Sequence, residues 1–235
     1  HAELAHQAVH DDFKVEFITE GRQAGTAEKF KARLTYRDDP QAEPQERTVS
    51  VNHPLNVNGT NVFLIGHGYA PHITVRNADG SIAFSGPVVF LPEDSSFRSF
   101  GVLKVPDASN PTDTQIGLEG ELYPTYGFSN ETGPFSAYPD AKSPFISMVL
   151  WTGDLGLDSG KPQSVYALDK AKLDKVMKSE KAQYRVDLPM GATTELPDGL
   201  GTVTFDSIDR FVKLQVSKTP AQWVTLLGVI LALIG

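Results

Sequence analysis

The sequence predicts a mainly β fold of sandwich or barrel-like antiparallel sheets, with one or two short helices and the start of a transmembrane helix at its C-terminal end. Three observations carry this expectation. Apolar and polar residues alternate with period two in many short stretches, the pattern of strands with one wet face. Turn dipeptides separate those stretches, among them Asn58-Gly59, Asp79-Gly80, Pro106-Asp107, Asn110-Pro111 and Asp198-Gly199. Finally, residues 219–235 hold no ionisable side chain at all, although the chain as a whole is polar and acidic.

Taken in order, residues 1–10 (HAELAHQAVH) lack the basic and apolar regions of a signal peptide. A single β domain is expected over 11–217. It opens with Phe13, Val15 and Phe17, then Phe30, Ala32, Leu34 and Tyr36, the last four separated by Lys31, Arg33 and Thr35. Further strands are expected at RTVSV, NVFLIGH, HITVR, SIAFSG, VVFLP, FGVLKV, TQIGLEGELY and FISMVLW, then at GTVTFDSI and RFVKLQV. Residues 167–183 (ALDKAKLDKVMKSEKAQ) predict a helix, because Leu168, Leu173, Val176 and Met177 recur near helical spacing among good helix formers. Residues 124–145 show no period and are dense in Gly, Pro, Ser and aromatics, so a long ordered loop is expected there.

Residues 218–235 read as the start of a C-terminal transmembrane helix. As a helix the uncharged run would be about 25 Å long, a few ångströms short of a hydrocarbon core of about 30 Å. Its eight Leu, Ile and Val residues favour insertion by roughly 2.5 to 5 kcal/mol. Pro220 suits the first turn of such a helix and Trp223 the headgroup level. The competing reading is a buried C-terminal helix of the globular core.

Composition narrows the chemistry. A net charge of −8 with no basic cluster argues against a nucleic-acid partner. Lys170, Lys172, Lys175, Lys178 and Lys181 come nearest to one, but Asp169, Asp174 and Glu180 interleave with them. With no cysteine, disulfides, thiol catalysis and cysteine-bound metals drop out together. No nucleophile elbow, phosphate loop or dinucleotide fingerprint follows any strand, and no catalytic residue or metal site is assigned.

Glu119 and Glu121, two apart on a strand, share a face as a glycosidase pair would, but a wet strand face is commonly charged. Asp154 and Asp158 lie in a Gly-rich stretch without the spacing of a calcium loop, and read as turn residues. His53, His67 and His72 are the imidazoles to weigh as haem contacts. Their spacing fits no tight zinc motif, and beside Gly or Pro they read first as turn-bonding side chains.

Read together, VNHPLNVNGTNVFLIGHGYAPHITVRNADG, VVFLPEDSSFRSFGVLKVPDA, IGLEGELYPT and GDLGLDSGKPQSVYALD resemble the ResB family of cytochrome c biogenesis proteins, in its actinobacterial form. VNHPL is similar to the family's V-N-x-P-L signature. The resemblance implies an extracytoplasmic domain between two spans of a plasma-membrane protein, with residues 1–10 as a juxtamembrane segment after the preceding span and 219–235 opening the last span. It further implies work in system II beside a ResC/CcsA-like membrane protein, which together deliver haem to apocytochrome c. Haem is then handled by the whole complex, no ligand is carried over to this chain, and the lipid bilayer is a further partner. A second reading is a membrane-tethered β-sandwich module for cell-wall glycan, resting on Tyr123, Tyr126, Phe128, Phe135 and Tyr138.

Overall fold

The computed structural model describes residues 13–18, 27–111, 114–160 and 162–218. Among them the chain is mainly β and antiparallel, as expected. The first strands are β1 (Phe13–Phe17), β2 (Ala27–Tyr36), β3 (Gln45–Ser50), β4 (Leu55–Val57), β5 (Thr60–Arg76) and β6 (Ile82–Pro87). There follow β7 (Phe90–Pro92), β8 (Ser99–Val105), β9 (Gln115–Tyr123), β10 (Tyr126–Ser129), β11 (Gly133–Ser136) and β12 (Phe145–Gly153). The last are β13 (Leu173–Lys175), β14 (Met177–Ser179), β15 (Ala182–Gln183), β16 (Arg185–Pro189), β17 (Thr193–Glu195) and β18 (Thr202–Lys218). Short 3-10 turns at Leu157–Ser159 and Pro197–Gly199 are the helical elements among the described residues.

One 11-stranded sheet runs in the order β13-β12-β9-β8-β7-β5-β18-β17, with β16 also on β12 and both β4 and β6 also on β5. A three-stranded sheet β1-β2-β3 and the hairpins β10-β11 and β14-β15 complete the topology. The chain gathers into two compact units. The described parts of one come from Phe13–Glu16, Ala27–His67 and the strand end from Val212; those of the other are 17–18 and Gly68–Phe211.

In the second unit, alternation on the central strands separates two apolar layers. Ile116, Leu118 and Leu122 of β9 and Ile146, Met148 and Leu150 of β12 face the main core with Tyr69, Phe90, Val203 and Phe205. On the other face Val102 and Trp151 pack with Leu155, Leu168 and Leu173. The first unit has its own core of Ala32, Leu34, Val49, Leu55, Val57, Val62 and Leu64.

Residues 167–183 are not a helix. Leu173 pairs with Gly153 along the edge of β12, and β14 turns back on β15. Helix propensity separates ordinary residues by only about 0–0.7 kcal/mol each, whereas burying one Leu is worth about 1.5–3 kcal/mol. Leu168 and Leu173, each 8% exposed, are buried by packing with Trp151 and Leu155. Residues 124–145 contain a hairpin within the expected loop, with Tyr126 opposite Ser136 and Ser129 opposite Gly133.

The stretches NVFLIGH and HITVR belong to one strand, β5, although Gly68 and Pro71 lie between them. Pro71 falls where the neighbouring strand changes, after the Tyr69 to Phe90 pairing and before the His72 to Pro87 pairing, so its missing N–H interrupts neither of these two pairings. A Cβ on Gly68 would lie 2.5 Å from the Phe211 ring, which explains the glycine. No helix among the described residues is long and apolar enough to cross a membrane. The juxtamembrane segment 1–10 and the expected transmembrane run 219–235 lie outside the described residues.

Candidate functional site

The stretch VNHPL makes the reversal from β3 to β4. His53 N–H donates to the Ser50 carbonyl at 3.0 Å, Ser50 N–H donates to the His53 carbonyl at 3.4 Å, and Ser50 Oγ lies 3.2 Å from His53 Nδ1. Pro54 follows, and Leu55 turns inward, 9% exposed. Just beyond β4 the chain reverses again at Asn58 and Gly59, whose φ values of 50° and 77° match the two-residue hairpin turn announced by that dipeptide. Asn56 Nδ2 donates to Asn61 Oδ1 at 2.7 Å and ties the hairpin together.

These two turns present Leu55 and Val57 to an apolar groove. Leu34, Thr35 and Tyr36 of β2, Val62 of β5, and Leu214 and Val216 of β18 line the remainder. Tyr36 keeps its hydroxyl out of the apolar zone by donating to Gln45 Oε1 at 2.9 Å. The groove is open: Val216 remains 49% exposed.

The three histidines do not form one cluster. His53 is exposed on its turn, with Nδ1 committed to Ser50, and His67 is buried in β5. His72 lies five residues beyond His67 on β5. Its Nδ1 stands 3.5 Å from Asp206 Oδ2, which also accepts from Thr74 Oγ1 at 2.7 Å. Among the described residues no group of three His, Asp or Glu side chains is arranged to hold a metal.

The carboxylates are held by neighbouring cations. Glu119 receives Lys170 Nζ at 2.6 Å, and Glu121 receives Arg98 Nη1 at 3.1 Å together with the Tyr123 hydroxyl. Burial, followed by the bond to Glu121, pushes the Tyr123 phenol upward. Asp154 accepts Gly156 N–H and Lys172 Nζ, both at 2.7 Å, and the ammonium bond holds its carboxyl below the usual range.

Sequence reasoning missed a second cluster, in the unit of Gly68–Phe211. The Arg210 guanidinium lies 4.7 Å from the Tyr69 ring centre and 5.7 Å from that of Phe17, and pairs with Asp140 Oδ1 at 2.5 Å. Tyr69 donates its hydroxyl to the Pro139 carbonyl at 2.8 Å, and burial pushes its pKa up to about 12 against the pull of Arg210. Phe97, at φ 59°, sets its ring edge-on to Tyr69. Of the aromatics weighed for glycan, Tyr123 is buried and Tyr126 stacks on Phe145 at 4.2 Å, while Phe128 and Phe135 stay exposed.

A model of the ResB-like family matches residues 5–235, nearly the whole chain. The chain belongs to that family. ResB-like proteins are membrane-associated and act in cytochrome c biogenesis, which places this chain in that process at the family level. No curated protein and no solved structure matches the chain. Within this ResB-like protein, VNHPL folds the turn that sets Leu55 into the apolar groove, which gives the stretch a visible physical role.

Proposed function

We propose that the β-rich body is the extracytoplasmic domain of a plasma-membrane protein that works with a ResC/CcsA-like partner to deliver haem to apocytochrome c. The family match over residues 5–235 carries this reading. In this reading haem is the cargo of the assembled pair, and the body braces the partner's haem-handling surface or receives the apocytochrome without catalysing a reaction of its own. The uncharged run 219–235 re-enters the bilayer as the last span, and Trp223 lies at the headgroup level.

The test is co-purification of the full-length protein with its ResC-like partner, followed by crosslinking and haem spectroscopy. Crosslinks from the β body to the partner are expected, with haem absorbance that survives heating of the purified pair. A pair that matures cytochrome c equally well after deletion of residues 27–217 would refute the proposal.

A further inference from the structure

The groove lined by Leu34, Leu55, Val57, Val62, Leu214 and Val216 has no place in the haem-delivery scheme, yet it leaves apolar surface open beside the end of the described chain. Apolar area left in water is unfavourable in proportion to its extent, so the groove favours an apolar occupant. Position identifies the source. Val216 and the first residue of the uncharged run, Thr219, are three residues apart. An extended chain covers at most about 3.4 Å per residue, or about 10 Å over that distance. A polar headgroup layer is itself about 5–8 Å deep.

Lys218 supplies the second, independent observation. It is two residues beyond Val216 on β18, so strand alternation puts it on the groove side of the strand, between the apolar lining and the uncharged run. An ammonium at that point suits the phosphate of an anionic lipid. We propose that the groove holds an acyl chain of a membrane lipid whose anionic headgroup meets Lys218. The inference rests on the reading of 219–235 as membrane-inserted, and the test separates the two.

The full chain is reconstituted in vesicles of phosphatidylcholine and phosphatidylglycerol, with a photoreactive diazirine in the phosphatidylglycerol acyl chain, and irradiated adducts are mapped by mass spectrometry. Adducts are expected on the groove segments of β2, β4 and β18 as well as on 219–235. Lys218→Glu, a surface change that leaves the core untouched, is expected to lower the groove adducts several-fold and leave those on 219–235 unchanged. Adducts on 219–235 without any in the groove would overturn the lipid site while the membrane reading stands. Adducts on neither would remove both. Equal labelling of the groove and of exposed β3 residues such as Arg47 would show bilayer contact without a site and overturn the proposal. So would a groove protected by a second copy, detected as disulfide-linked dimers of Val216→Cys in this otherwise cysteine-free chain.

Discussion

In the unit of Gly68–Phe211 the apolar face shared by β9 and β12 is closed from end to end: Ile116, Leu118, Leu122, Ile146, Met148 and Leu150 are all fully buried. The unit containing Ala27–His67 buries Ala32, Leu34, Val49 and Leu64 equally well, but its apolar lining continues outward to Leu214 and Val216, which stay exposed in part or in full. The same alternating strands therefore give a sealed scaffold in one unit and an open apolar site in the other. What differs is whether another apolar layer covers the last strand residues. Stability is expected to concentrate where the layer is complete, and ligand sensitivity where it is not.

The sharpest way to break this comparison is truncation of Phe90. It is fully buried, and a Cβ on Gly101 would lie 2.5 Å from its ring, so the neighbouring backbone is fitted to it. Phe90→Ala is expected to cost about 3–5 kcal/mol in urea unfolding. Leu55→Ala, on the floor of the open groove, should cost about 2 kcal/mol, at the low end for buried Leu, because the site is already open on one side. A larger loss for Leu55 than for Phe90 would reverse the assignment of scaffold and site.

Tyr69 tests the sealed unit through pH. The folded phenol keeps its proton up to about 12, whereas an unfolded tyrosine releases it near 10. Its contribution is therefore complete below about pH 10 and is lost as pH rises toward the folded value. Tyr69→Phe removes the bond to Pro139, costs about 1 kcal/mol at neutral pH, and should flatten the alkaline fall in stability followed by circular dichroism. The smallest effect is expected from His53→Gln. Its exposed turn keeps a hydrogen-bonding side chain, so stability should change by less than about 0.5 kcal/mol. Haem content and cytochrome c maturation in the full complex should hold. Loss of haem in a normally folded variant, restored by added imidazole, would instead assign the ring to the iron.

How far these differences could be read from the sequence depended on the range of the interaction. The alternation Ala32, Leu34 and the dipeptide Asn58-Gly59 are local signals, and both appear as expected in β2 and in the turn after β4. The Lys- and Ala-rich run 167–183 carries a local helix signal that is overruled by distant partners: the Trp151 ring near both Lys170 and Lys175, Glu119 paired with Lys170, and the β12 strand that pairs with β13. The bond between Arg210 and Asp140 and the groove itself had no sequence signature, because their parts come from strands far apart in the chain. VNHPL could be recognised, but the use of its Leu55 could not.

The pairing of β5 with β18 also constrains the order of events during synthesis. More than half of the given sequence lies between these two strands, so β5 waits for its neighbour while those residues are made. Such distant pairing slows folding, because the closing of a long loop precedes any reward from the contacts it brings. During that interval one edge of β5 stays unpaired and open to neighbouring chains, a hazard that grows with concentration. The second of the two long strands ends at Lys218, directly before the uncharged run. The sheet therefore closes only once β18, the last of its strands in chain order, has been made.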